Sequence, residues 1–140
     1  MKRVLVYGTF DILHYGHIRF LKQAKAMGDY LIVGLSTDAF NKIKHKKAYF
    51  TYEQRKKLLE ATRYVDLIIP ENTWEQKVSD IKKYEADILC MGEDWKGKFD
   101  NLREEGVKVT YLKRPPKISS TKIKTDFENI GRKKALHEKK

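Results

Sequence analysis

Arg3-Val4-Leu5-Val6-Tyr7-Gly8-Thr9-Phe10-Asp11-Ile12-Leu13-His14-Tyr15-Gly16-His17 passes from an apolar run through a polar loop into a helical pattern. Residues 3–7 have the β-branched, leucine and aromatic content of a buried strand. In 17–27, Phe20, Leu21, Ala24 and Met27 recur on one helical face, and Gly28 supplies a stop. The same strand–loop–helix logic extends outward, because residues 30–35, 65–69, 88–91 and 107–112 are also short apolar runs. Two helix starts fit a capping box, Thr51-Tyr52-Glu53-Gln54 and Thr73-Trp74-Glu75-Gln76. Ser119-Ser120-Thr121 can open a last helix running towards Asn129. Five strands separated by helices predict an α/β domain of Rossmann-like type, an open parallel five-stranded sheet with helices on both faces.

The composition suits this reading. A chain of 140 residues supports one domain, and 41% apolar residues supply its core. The domain is expected over residues 1–130, followed by a basic tail at 131–140. A single cysteine, Cys90, excludes a disulfide framework and a cysteine-rich zinc module. No apolar run approaches the ~20 residues of a membrane span, and the start of the chain lacks a signal-peptide pattern. The expectation is a soluble, cytoplasmic protein. Thirty Lys and Arg against 19 Asp and Glu give a net charge of +11, which calls for an anionic partner. Residues 131–140 carry five Lys/Arg and one Glu, a solvated tail. Nucleic acid would want aromatic stacking platforms beside the charge, and none is evident. Nucleic-acid binding without catalysis is therefore the rival from another class.

In open parallel sheets, ligands bind beyond the carboxyl ends of the strands, where the chain order reverses. That rule nominates the loops 8–15, 36–49, 92–99 and 113–121. The basic cluster Lys42, Lys44, Lys46 and Lys47 falls in the second of them. Gly92-Glu93-Asp94-Trp95-Lys96-Gly97-Lys98-Phe99 imitates part of a phosphate-binding P-loop. Phe99 replaces the hydroxyl residue that holds Mg²⁺, and Glu93 and Asp94 would repel phosphates, so that reading fails. His14 and His17 flank Gly16 where a loop turns into a helix, and a helix N-terminus favours anions. Neither His45 nor His137 adds a supporting constellation for a zinc site.

The stretch 7–17 resembles the H-x-G-H signature of the cytidylyltransferase branch of the nucleotidyltransferase superfamily. The likeness continues through Ser36-Thr37-Asp38, Lys44-His45-Lys46-Lys47-Ala48-Tyr49, Arg63-Tyr64-Val65-Asp66, Trp74-Glu75-Gln76-Lys77, Met91-Gly92-Glu93-Asp94-Trp95 and Ile118-Ser119-Ser120-Thr121-Lys122-Ile123-Lys124. It spans roughly residues 2–128, and the later blocks resemble the glycerol-3-phosphate cytidylyltransferases. The resemblance implies transfer of CMP from CTP to sn-glycerol 3-phosphate, giving CDP-glycerol and pyrophosphate, for teichoic acid or capsule polymers. It implies a homodimer and a divalent cation, normally Mg²⁺, on the CTP phosphates. By the same likeness His14, His17 and Lys46 are catalytic, and Thr9, Phe10, Arg63, Arg114, Ser119, Ser120 and Thr121 join them in holding the nucleotide. Lys44, Lys77, Asp94 and Trp95 would hold the acceptor. Asp11 matches a family position near the phosphates but is assigned no metal. The family pattern Arg-Thr-Glu-Gly-Ile-Ser-Thr-Thr is replaced here by Arg114-Pro115-Pro116-Lys117-Ile118-Ser119-Ser120-Thr121, which removes two backbone donors and adds a cation.

The chemistry agrees with that composition. A phosphate monoester is largely a dianion at neutral pH, with a second pKa of ~6, and is already a nucleophile. Bringing it to a triphosphate needs positive charge and alignment rather than a protein nucleophile. Other acceptors remain open at this level: ethanolamine phosphate, choline phosphate, another polyol phosphate, or adenylyl transfer from ATP. Choline would require an aromatic cage.

Overall fold

In the computed structural model the described residues are 1–113, 123–125 and 127–130. Five strands, β1 (Arg3–Gly8), β2 (Tyr30–Ser36), β3 (Leu67–Glu71), β4 (Ile88–Gly92) and β5 (Lys108–Leu112), form one sheet of order β3-β2-β1-β4-β5. Every pairing is parallel. The helices within residues 1–113 are α1 (Tyr15–Ala26), α2 (Asp38–Ile43), α3 (Tyr52–Glu60) and α4 (Gln76–Lys83), and residues 123–125 and 127–130 are also helical, in the stretch where the sequence predicts a last helix. Turns of 3₁₀ helix occupy Glu93–Trp95 and Asp100–Glu105. The expected α/β sheet is present.

Alternation along each strand divides the core in two. Val4, Val6, Val33 and Cys90 pack with Leu21 and Ala24 of α1 and Leu59 of α3. Leu5, Tyr7, Ile32 and Leu89 pack on the other face with Ile81 of α4 and Leu102. This is the period of two expected of strands covered on both sides. Burial pushes the Cys90 thiol up to about 12, leaving it an inert core side chain.

Three details differ from the sequence expectation. β3 begins at Leu67 rather than Val65, because the Asp66 carboxylate accepts the Leu31 N–H at 2.8 Å and pairs with Lys25. The strand then runs on through Pro70, which an edge strand tolerates. Around Thr73 the reciprocal cap bonds form, Gln76 N–H to Thr73 Oγ1 at 3.1 Å and Thr73 N–H to Gln76 Oε1 at 3.0 Å. Even so, Trp74 and Glu75 lie outside the helix, which opens at Gln76. The loop after β2 contains a short helix, α2, capped by Thr37 Oγ1 on the Phe40 N–H at 3.2 Å.

One glycine fixes the sheet where β1 meets β2. Tyr7 is directly opposite Gly34, and a Cβ there would lie 2.3 Å from Tyr7 Cδ1. Gly34 thus makes room for the Tyr7 ring to lie across β2. Gly34→Ala should cost roughly 1–3 kcal/mol by overpacking, measured as a lower urea midpoint with unchanged slope.

Candidate active site

The chain order reverses between β1 and β4, so the carboxyl end of β1 lies at the switch point. Its loop is held under strain. Phe10 and Ile12 have φ of 49° and 48°, in the left-handed region that non-glycine residues avoid. Two buried groups hold this conformation. Asp11 is 2% exposed, and its carboxylate accepts the Tyr49 N–H at 2.6 Å and the Phe50 N–H at 3.0 Å, and pairs with Lys124 Nζ at 2.7 Å. Burial alone would raise its pKa, but these donors outweigh burial and hold the carboxyl below the usual value. Arg55 is fully buried and donates to Thr9 O at 2.9 Å, Ser36 O at 2.7 Å, Phe50 O at 3.1 Å and Asp38 Oδ1 at 2.8 Å. One guanidinium therefore ties the ends of β1 and β2 to the segment before α3.

The strained loop delivers two histidines to the start of α1. His14 is the N-cap and accepts the Gly16 N–H through Nδ1 at 3.0 Å. His17 accepts the His14 N–H through its own Nδ1 at 3.3 Å, completing a reciprocal cap. The rings stack with centroids 3.9 Å apart, and Phe10 packs on His17 at 5.4 Å. Because both Nδ1 atoms accept, the proton of each neutral ring sits on Nε2 as a donor. Two imidazole donors at a helix N-terminus suit phosphate oxygens.

Beside the histidines lies a polar net on β1, β2 and β3. Lys44 Nζ donates to Ser36 Oγ at 2.8 Å and lies 3.4 Å from Thr9 Oγ1. Ser36 Oγ and Lys77 Nζ both donate to Glu71, at 2.7 and 3.1 Å. Thr9 passes its own hydrogen bond to Asn41 Oδ1 at 2.9 Å. Burial lowers the Lys44 ammonium to about 8, with Glu71 opposing that fall and the neighbouring cations adding to it. Lys44 is charged below that pH and neutral above it. Catalytic efficiency should therefore fall as pH rises through about 8, whereas Lys44→Arg, with a pKa above ~12, should flatten that limb. A pH profile of kcat/KM with the acceptor limiting tests it.

The expected residues are not all gathered. Thr9, Phe10, His14, His17, Lys44 and Lys77 come together at the carboxyl edge. Trp95 joins them, its ring 5.6 Å from Trp74 and from Phe99. Lys46 is exposed on the rim, lining a cleft of about 330 Å³ with Asn41, Lys47 and Tyr49. Asp94 is exposed in the Glu93–Trp95 turn. Arg63 is exposed in the turn between α3 and β3, at the amino edge of the sheet, so within this chain it does not reach the pocket. Arg114, Ser119, Ser120, Thr121 and the 131–140 tail lie outside the described residues. No group of three or more His, Cys, Asp or Glu among the described residues could hold a metal ion, and Asp11 serves the loop and Lys124. These side chains do not fit a metal centre of their own. Glu71, Arg55 and Asn41 belong to the site without having been singled out in the sequence. Glu71, a carboxylate ending an apolar strand, carried the only local signal.

A sheet of this order, with histidines capping the helix after β1 and lysines on the next loop, defines a nucleotidyltransferase-like site. The family model described as cytidylyltransferase-like matches residues 5–126, and the chain belongs to that family. It is 60% identical over 127 residues to the glycerol-3-phosphate cytidylyltransferase of Staphylococcus aureus (strain NCTC 8325 / PS 47), covering 91% of this chain and 96% of the relative. Against the enzyme of the same name from Bacillus subtilis (strain 168) it is 54% identical over 130 residues, covering 93% and 100%. Among solved structures it resembles a lipopolysaccharide core biosynthesis protein from Thermoplasma volcanium GSS1, with TM-score 0.73 and 29% identity over 82% of this chain and 98% of that one.

Proposed function

We propose that the chain is a glycerol-3-phosphate cytidylyltransferase, forming CDP-glycerol and pyrophosphate from CTP and sn-glycerol 3-phosphate. The observation that carries this is the His14–His17 pair at the α1 N-terminus beside the Lys44–Lys77 net, in a chain 60% identical to a relative of that name. An oxygen of the acceptor phosphate attacks the α-phosphorus of CTP. The new P–O bond forms as the bond to the bridging oxygen breaks, and the electron pair leaves with pyrophosphate. No proton transfer is needed to make the nucleophile.

The side chains act on charge and position. Imidazole Nε2–H groups and the first amides of α1 stabilise negative charge gathering at the α-phosphate, and Lys44 offsets the repulsion between the two anions. Thr9 is held by Lys44 and Asn41, and its carbonyl by Arg55, so the loop is set before substrate arrives. A divalent cation belongs to this reading as a companion of the CTP phosphates, where it would offset their charge. A cytoplasmic homodimer supplying glycerol phosphate units to teichoic acid or capsule polymers is part of the same proposal. Arg63, exposed away from the pocket, is available to a neighbouring copy. Among the described residues, no helix is long and apolar enough to cross a membrane.

The test is pyrophosphate release with Mg²⁺, CTP or ATP, and a panel of phosphomonoesters. CTP-dependent release with glycerol 3-phosphate above the other acceptors is expected. Release confined to ATP, or to a different acceptor, would contradict the proposal.

A further inference from the structure

Helix α4 turns Lys77 inward, where the residue is 3% exposed. Its ammonium lies 4.6 Å from the centroid of the Tyr7 ring, 5.1 Å from Phe99 and 5.3 Å from Trp74. Trp95 closes the enclosure, 5.6 Å from both Trp74 and Phe99. The buried Glu71 carboxylate, also almost fully enclosed, supplies the counter-charge at 3.1 Å. Several aromatic faces around a carboxylate make a receptor for an organic cation such as a quaternary ammonium. In this chain the enclosure already holds a cation, and that cation is the protein's own.

The walls are fixed. Tyr7 is anchored by its hydroxyl on Asp80 Oδ2 at 2.7 Å and accommodated by Gly34. Phe99 is placed by its N–H on the Tyr111 hydroxyl at 3.0 Å, and that hydroxyl donates to Asp100 Oδ1 at 2.8 Å. Lys44, on the other side of Glu71, lies 4.0 Å from its Oε1 and faces Thr9 and Ser36. Lys44 also passes 5.9 Å from the Trp74 centroid, but its hydrogen bonds go to Ser36 and the β1 loop, whereas Lys77 has Glu71 as its polar partner and is faced by Tyr7, Phe99 and Trp74.

We infer that Lys77 determines acceptor specificity: its ammonium fills an aromatic box that would otherwise take the cationic head of a phosphomonoester. This rests on the functional reading above, in which the acceptor phosphate binds beside Lys44. An acceptor with an uncharged polyol head meets Lys77 without penalty. A choline head meets a like charge in a space already filled, with Glu71 already neutralised.

The experiment compares wild type, Lys77→Ala and Lys77→Arg with CTP and either glycerol 3-phosphate or choline phosphate, read as pyrophosphate release. In Lys77→Ala the ratio of the two kcat/KM values should move towards choline phosphate by about 100-fold, while Lys77→Arg stays near wild type. An unchanged ratio in an active Lys77→Ala protein would overturn the inference, as a purely structural lysine lowers both rates together.

Binding supplies an independent arm. Trp74 and Trp95 are the two tryptophans of the chain, so tetramethylammonium entering the box should change the emission of Lys77→Ala and leave wild type unmoved. Equal responses in the two proteins would also overturn it. Should Lys77→Ala fail to fold, wild type decides, because a change in its tryptophan emission on adding tetramethylammonium contradicts a filled box. Wild type inactive with glycerol 3-phosphate is a separate result that strikes the functional reading, and the emission experiment still judges the box.

Discussion

His17→Ala is expected to lower turnover about 10³-fold and to leave the protein folded. The imidazole does two jobs of very different weight. As a cap partner it accepts the His14 N–H at 3.3 Å, a bond at the long end of the normal range whose loss costs about 0.5–1 kcal/mol. As an Nε2–H donor at the helix N-terminus it stabilises charge that develops only at the transition state, and loss of one such donor costs about 10²–10³ in kcat. Phe10 also leans on the ring, so its removal loosens the strained loop and adds to the kinetic loss. The predicted signature is a large fall in kcat, a small change in KM for CTP, and a melting temperature within a few degrees of wild type. His17→Asn, which restores a donor of similar reach, should recover part of the rate. Near-normal turnover in His17→Ala would remove the histidine pair from the mechanism.

Arg55→Ala should have the largest effect on stability. The side chain is fully buried and serves four acceptors on different segments. Truncation strands the carbonyls of Thr9 and Ser36 without their donor in the interior, each worth about 1–3 kcal/mol, and opens a cavity the size of a guanidinium. The Asp38 carboxylate is half exposed and recovers water, so its ion pair adds little. The total is about 3–5 kcal/mol in urea unfolding, a large share of the stability of a domain this size. Lys cannot substitute, because one ammonium cannot span acceptors that a planar fork reaches together. A loss below ~1 kcal/mol would show that the β1 loop is held by other bonds.

The same arginine marks where sequence reading stops. The inner strands were legible because the sheet is covered on both faces, which makes β1, β2 and β4 near-continuous apolar runs, whereas β3 ends in Pro70-Glu71 and β5 interleaves Lys108 and Thr110. The loops that carry the site followed from topology alone. His14 and His17 could be found because a helix start with two imidazoles three apart is a local pattern. Arg55 has no such signal: it sits in Gln54-Arg55-Lys56-Lys57, where neighbouring cations face solvent, and only packing against β1 and β2 turns it inward. Lys77 was legible as a family position, yet on sequence alone it looks like a surface lysine of α4. Its burial depends on Glu71, six residues earlier at the end of the edge strand β3. Arg63 shows the converse, a motif residue that the single chain leaves at the far edge of the sheet.

Asp11 teaches a similar lesson. A buried carboxylate near phosphates invites a metal role, but three donors already occupy it and hold residues 49–50 in place. In this chain its carboxylate is committed to the loop and to Lys124.

In the proposed reaction no group of the protein bonds covalently to the nucleotide, and the acceptor phosphate strikes the α-phosphorus directly while the charged side chains hold both anions. The most direct measurement is the stereochemistry at that phosphorus, using CTP made chiral with sulfur at the α position and phosphorus NMR of the CDP-glycerol analogue. A single in-line displacement inverts the configuration, which is the result expected. Retention would mean two displacements and a covalent nucleotidyl-protein, and would contradict the account.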